Sequence, residues 1–506
     1  MPLSKQFGNH WQMLRPRIWQ YCKADITQFR IATRLPKHYC HLMTLDPKDW
    51  PAFRKTAHAM LDASLDKLES AREGRVWTPV PEALKTEINA PLPQGGISEE
   101  QMREEIEAIM PYNPGNIHPR FFGWVNGAGA PSNILAEMAV AAMNANCGGR
   151  NHVGPVIEQQ VIRWAAQIMG MPSETTGLIA SGTSMATVTA LKVARDKYQR
   201  EQPGAELIGY TGAQTHSCVR RAFDLLGIGK EALREIPCDE NFEIDLNALQ
   251  AAIDEDRADG KTPFAVIGTV GAVNVGAIDD LDGLANICEK EKLWFHVDGA
   301  FGAAAILSET VGHRVKGLSR VDSLAFDFHK WWQVNYEAGC VLIRDPHLHR
   351  LSFANRPEYL RHDEDGLAGG DFWAVDYGPE LSRSFRALKV WTHLKTHGID
   401  AIAEVVERNI AQAQYLKARI EAEEKLELLA PVALNICCFR YNFKYEPNEK
   451  NARIVVDLQE SGLAAPSTTT IDHETAIRVN LTNHRTQESD LDMLVDAILK
   501  MGKELE

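Results

Sequence analysis

The 506-residue chain has no C-x-x-C pair, no apolar run near the roughly 18 residues that a membrane helix needs, and no secretory start of basic, apolar and then small residues. The first absence removes the commonest zinc and thiol-redox motifs, and no metal centre is expected. The other two make the cytosol the expected compartment. The nine cysteines (Cys22, Cys40, Cys147, Cys218, Cys238, Cys288, Cys340, Cys437 and Cys438) are odd in number and scattered, so they read as free thiols, mostly in packing roles. Excess positive charge is also lacking: 54 Lys and Arg stand against 68 Asp and Glu, a net charge of −14 that offers no global attraction to nucleic acid or an anionic membrane. A small-molecule enzyme fits this balance better.

What is present is apolar material, 44% of the residues, in a chain too long for one ordinary core. Two or three domains are expected, and disordered and fibrous classes are excluded. Residues 1–42 stand apart, with seven Lys or Arg and a single acid, Asp25. A transit peptide or a nucleic-acid arm has this bias, but the segment is poor in Ser and lacks a helical period; it reads as an appended, poorly ordered tail ahead of Met43.

From Met43 the texture is globular. Phe53, Ala57, Met60, Leu61, Leu65 and Leu68 recur at three- and four-residue steps and predict an amphipathic helix ending near Gly74. A Pro-rich connector follows over 76–93, then helices over 99–110 and 132–147. Beyond these, short apolar strands (Leu207–Tyr210, Phe264–Gly268, Leu293–Val297, Ser323–Phe326, Cys340–Ile343) alternate with helical stretches, which predicts an open, largely parallel α/β sheet. Chemistry in such sheets gathers beyond the carboxyl ends of the strands. A long helix near 382–397 leads into a smaller α/β unit with strands at Ile436–Arg440 and Ala476–Leu481.

Three short patterns can carry chemistry. Ser181-Gly182-Thr183-Ser184 follows a strand at Gly177–Ala180 and opens a helix marked by Met185, Val188, Leu191 and Ala194: it is either a phosphate cradle of N–H groups and hydroxyls or an ordinary helix cap. Asp298 ends an apolar strand in His296-Val297-Asp298-Gly299-Ala300, where a buried carboxylate needs a cation or N–H donor; a protonated pyridine nitrogen is one candidate and a nearby Arg or helix end another. Lys330, in His329-Lys330-Trp331, follows a strand end flanked by Phe326, Phe328, Trp331 and Trp332, and is either a desolvated amine able to form a Schiff base or a solvated charge. In this order the three describe one machine, which holds a phosphate, a ring nitrogen and an aldehyde. These are the three handles of pyridoxal phosphate.

The chain resembles the group II pyridoxal-phosphate amino-acid decarboxylases from about Asp46 to its C-terminus. The likeness runs through His118-Pro119-Arg120-Phe121-Phe122, Gly177 to Arg195, Thr215-His216-Ser217, Phe295 to Gly302, Asp322 to Trp331, Ser384 to Trp391 and Ile477 to Thr486. It implies a fold-type-I α/β enzyme with four regions: the extension 1–42, an N-terminal helical clasp (43–120), a large cofactor domain with a mostly parallel seven-stranded sheet (121–397) and a small α/β domain (398–506). It implies a homodimer with the active site between protomers, acting on an L-amino acid.

By the same resemblance Lys330 holds the cofactor as a Schiff base, Asp298 keeps the pyridine nitrogen protonated, and Ala300 and His216 pack on its two faces. Thr183, Ser184 and His329 hold the phosphate, Thr269 lies near the ring, and Arg478 takes the α-carboxylate. Tyr359, in Arg356-Pro357-Glu358-Tyr359, stands where the family has a catalytic tyrosine on a mobile loop that protonates Cα. The family's usual Asn-Pro or Asp-Pro ahead of the His-Lys pair is replaced by Asp327-Phe328. The substrate reading leans aromatic. Trp124 is either a stacking wall or core packing, and Arg150 either pairs with a side-chain carboxylate, favouring an acidic substrate such as glutamate, aspartate or cysteine sulfinate, or braces a dimer interface. Oxidative decarboxylation to an aldehyde is the rival chemistry.

Overall fold

A computed structural model describes residues 44–355 and 363–506. The extension 1–42, Cys22, Cys40 and Tyr359 lie outside the described residues. Thr56–Glu506 forms a compact unit of its own, and the candidate site lies wholly within it. No helix among the described residues is long and apolar enough to cross a membrane. The seven described cysteines are all free, and all but Cys238 are buried.

Seven strands build the main sheet: β1 (Thr176–Ala180), β2 (Leu207–Gly212), β3 (Leu233–Ile236), β4 (Thr262–Thr269), β5 (Trp294–Asp298), β6 (Ser323–Asp327) and β7 (Gly339–Ile343). Their order across the sheet is β1-β7-β6-β5-β4-β2-β3. The pairs β2·β3, β2·β4, β4·β5 and β5·β6 are parallel, whereas β7 runs antiparallel to both β6 and β1. The expectation of an open, mostly parallel sheet therefore holds, with one reversed strand. The central strands are nearly continuous apolar runs because helices cover both faces and leave neither to water. A second, wholly antiparallel sheet in the order β10-β11-β9-β8 follows, made of β8 (Leu426–Leu428), β9 (Ile436–Tyr441), β10 (Ser467–Ile471) and β11 (Glu474–Asn480). It has its own core, in which Phe439, Ile477 and Val479 meet Leu458, Leu491 and Leu494.

Several elements differ from the sequence reading for visible reasons. The helix expected over 132–147 is Ser132–Met143, because Asn144 turns left-handed at φ 42° and ends it. The helix expected over 382–397 begins at Arg386 and, after a break at Gly398 (φ 74°), continues to Glu421. Its start is late because Arg383 is committed elsewhere: its guanidinium makes a buried bidentate pair with Glu158 at 2.8 and 2.6 Å and donates to the Ile179 carbonyl at 2.7 Å. Breaking such a buried pair costs about 3–5 kcal/mol, so the 383 backbone stays pinned beside β1. The helix Thr183–Glu201 buries Ala186, Ala190 and Ala194 with Leu191, while Met185 is exposed. Alanines at that spacing let the helix lie close on the sheet. The amphipathic first helix, Trp50–Glu69, buries none of its residues.

Candidate active site

Parallel strands deliver their last residues to one edge of the sheet, and the site assembles there. Thr269 ends β4, Asp298 ends β5 and Asp327 ends β6; Thr269 pairs in register with Asp298, and Asp298 with Ala325. Beyond these ends lies a cavity of about 380 Å³, within the range of small-molecule sites. Its wall includes Thr183, Ser184, His216, Thr269, Asp298, Ala300, His329 and Lys330, eight residues singled out in the sequence as cofactor contacts, and Trp124 as well.

Asp298 is 3% exposed. Its Oδ1 accepts from the Ala300 N–H at 3.1 Å, and the Cys218 thiol donates toward Oδ2 at 3.6 Å. Burial pushes its carboxyl above the ordinary aspartate range, against the pull of Lys330 and the Ala300 N–H. A cation at the ring position would relieve that desolvation. His216 is open to the cavity, yet the surrounding wall still lowers its pKa below the usual histidine value, so a neutral, stackable imidazole is favoured. Its Nδ1 accepts from the Cys218 N–H at 3.2 Å, which fixes the ring and leaves Nε2 to carry the proton. The ligand atoms of His216, Cys218 and Asp298 lie within 4.8 Å of one another. Burial and the Asp298 charge raise the Cys218 thiol far above its usual pKa, so this set makes a poor metal centre.

The phosphate end is built by the loop before the helix Thr183–Glu201. Gly182 takes the cap position and has no side chain to cap with, so Thr183 and Ser184 are not spent as caps, and the first amide, that of Thr183, goes to the Asp327 carboxylate. The Thr183 hydroxyl is buried and has no hydrogen-bond partner, a donor available to an incoming anion. His329 is held by the Ala338 N–H at its Nδ1, 3.0 Å, and burial lowers its pKa. The lysine strand approaches very closely: a Cβ on Gly127 would meet the carbonyls of His329 and Lys330 at 2.4 Å, so only glycine fits there. These donors, the buried carboxylate and the lysine suit pyridoxal phosphate.

Arg478, on β11, does not line the cavity but sits behind Trp124. It is 3% exposed, donates to the Asn274 carbonyl at 3.1 Å and to the Trp124 carbonyl at 2.9 Å, and leaves Nη2 without a partner. Burial pushes its pKa down to about 10, and no carboxylate pairs with it among the described residues. Arg150 is also outside the cavity wall: its guanidinium lies over the Trp373 ring at 4.7 Å. Three of the cavity's polar side chains have no site role in the sequence analysis. Cys218 reads there as packing, although its place two residues after His216 is a usable signal. Tyr336 lies in the β6–β7 connection, with its ring 4.3 Å from His329. Asp327 matches the Asp of the family's Asp-Pro form, and only Phe328 after it departs from the pattern, so its contacts had no signal of their own.

The pyridoxal-dependent decarboxylase conserved domain matches residues 81–442, and the chain belongs to that family. It is therefore a pyridoxal-phosphate-dependent amino-acid decarboxylase of fold type I. Among similar proteins, the aromatic-L-amino-acid decarboxylase of Bacillus atrophaeus is 35% identical over 401 residues, covering 77% of this chain and 82% of that protein. The histidine decarboxylase of Rattus norvegicus is 27% identical over 477 residues, with 88% and 70% covered. The crystal structure of Oryza sativa TDC with PLP and tryptamine superposes with a TM-score of 0.85 at 24% identity, covering 91% of this chain and 100% of that one.

Proposed function

We propose that this enzyme removes the α-carboxylate of an aromatic L-amino acid, giving the amine and carbon dioxide. The observation that carries the aromatic preference is Trp124: 58% exposed, it forms part of the same cavity wall as Lys330 and offers a ring face to a flat side chain. The Bacillus atrophaeus relative supports the same choice. An acidic substrate is less favoured, since Arg150 is engaged with Trp373.

Pyridoxal phosphate, when bound, supplies an electron sink for the bond to the departing carboxylate. The chain's own residues do the rest. Lys330 would hold the cofactor's aldehyde end, Thr183, Ser184 and His329 would hold its phosphate, and Thr269 would lie near the ring. Asp298 would favour a proton on the ring nitrogen, and Ala300 and His216 would pack against the ring. Arg478 orients the substrate carboxylate from behind Trp124, and Tyr359 delivers a proton to Cα.

The working form is a homodimer: Leu135, Met138, Val153 and Val156 leave apolar surface exposed on one chain. The free thiols fit a cytoplasmic setting. Turnover of a panel of L-amino acids by the purified protein tests the reading. Tyrosine, tryptophan, phenylalanine or DOPA should be processed well above glutamate; a glutamate preference overturns the aromatic assignment.

A further inference from the structure

Asp327 stands where an incoming phosphate would least welcome it. The carboxylate is 2% exposed. Its Oδ1 accepts the Thr183 N–H, the first amide of the helix Thr183–Glu201, at 2.7 Å. Its Oδ2 lies 3.1 Å from Nζ of Lys330 and 3.6 Å from Nε2 of His329. One buried anion therefore holds the positive end of the phosphate-binding helix together with the lysine that is to meet the aldehyde. All three groups it touches belong to the cofactor's own set of contacts. A phosphate monoester arrives with a charge of about −1.5 to −2 at neutral pH, and repulsion from a carboxylate at this range is little screened inside a protein.

We propose that Asp327 is a built-in competitor of the cofactor: it engages the cradle's first amide and Lys330, two groups the cofactor is to use, and its charge weakens the grip on the phosphate. The enzyme would then exchange its cofactor more readily than an uncharged residue at 327 would allow. This rests on the phosphate lying at Thr183, Ser184 and His329. A purely structural role, in which Asp327 merely accepts from Thr183, predicts something different, because asparagine keeps that acceptor and loses only the charge.

The test titrates apoprotein, wild type and Asp327→Asn, with pyridoxal 5'-phosphate and separately with pyridoxal, which lacks the phosphate; binding is followed by tryptophan fluorescence. The expected result is that Asp327→Asn binds pyridoxal 5'-phosphate about tenfold tighter or more, while pyridoxal, which gains only from the released Lys330, tightens much less. Unchanged or weaker binding of pyridoxal 5'-phosphate overturns the proposal, as does equal tightening of both ligands. Asp327→Ser, which also removes the charge, serves should the first variant not fold. Ser184→Ala in the wild-type background checks the phosphate placement separately: it should weaken pyridoxal 5'-phosphate and spare pyridoxal.

Discussion

The guanidinium of Arg478 donates to the main-chain carbonyl of Trp124 at 2.9 Å, and the Trp124 side chain forms part of the cavity wall. One contact thus joins a buried cation, without a carboxylate partner among the described residues, to the aromatic residue proposed to meet the substrate. The backbone carries the link: Trp124 sits at φ 49°, a left-handed conformation uncommon outside glycine, which turns its carbonyl to the arginine while the indole stays exposed.

Arg478→Met separates function from folding. A buried cation without a counter-ion is costly to keep, so the variant should melt at or near the wild-type temperature. Its kcat/KM should fall by about 100-fold, equivalent to roughly 2–3 kcal/mol of transition-state stabilisation, as the Trp124 main chain loses the donor that orients it. Steady-state kinetics together with thermal melts check this; a melting temperature that falls in step with activity would make Arg478 a structural residue.

Asp298→Asn should keep the visible absorbance of lysine-bound cofactor, because Lys330 is untouched, yet lose about 100-fold or more in kcat. Lys330→Ala should lose the absorbance itself. Spectra and rates of the two purified variants check the pair; near wild-type turnover by Asp298→Asn would place that carboxylate away from the ring nitrogen.

The parallel sheet and most of its strands were legible because buried strands are short, continuous and apolar, and they alternate with helices. The site was legible wherever a residue type is demanded by the chemistry, as with Lys330, Asp298 and the Thr183-Ser184 loop. Tertiary commitments were hidden. No local pattern shows that Arg383 pairs with Glu158 and so delays a helix, or that Cys218 fixes the His216 ring with its amide and faces Asp298 with its thiol. Arg150 illustrates the converse: a charge near the expected pocket in sequence lies over Trp373 in space.

Acid should destabilise the protein through its buried histidines. Burial pushes His296 down to about 3, and His349 and His393 to about 4, from an ordinary 6.5. Between those limits the unfolded chain binds protons that the native state refuses, so stability falls as pH drops from 6.5 toward 4. Denaturant melts across that window check the slope. His296→Asn should make it shallower by about one proton, and an unchanged slope would show that His296 does not contribute.

Tyr359→Phe should retain cofactor while its products shift from amine toward aldehyde, because the proton donor for Cα is gone. Product analysis by chromatography checks it; an unchanged amine yield would assign the proton to another group.

Non-oxidative decarboxylation is put to the test by measuring carbon dioxide and amine together as the purified protein turns over an aromatic L-amino acid, with dissolved oxygen monitored in the same vessel. One amine per carbon dioxide and no oxygen uptake are expected. Aldehyde with ammonia and peroxide, or a keto acid without carbon dioxide, would contradict this chemistry.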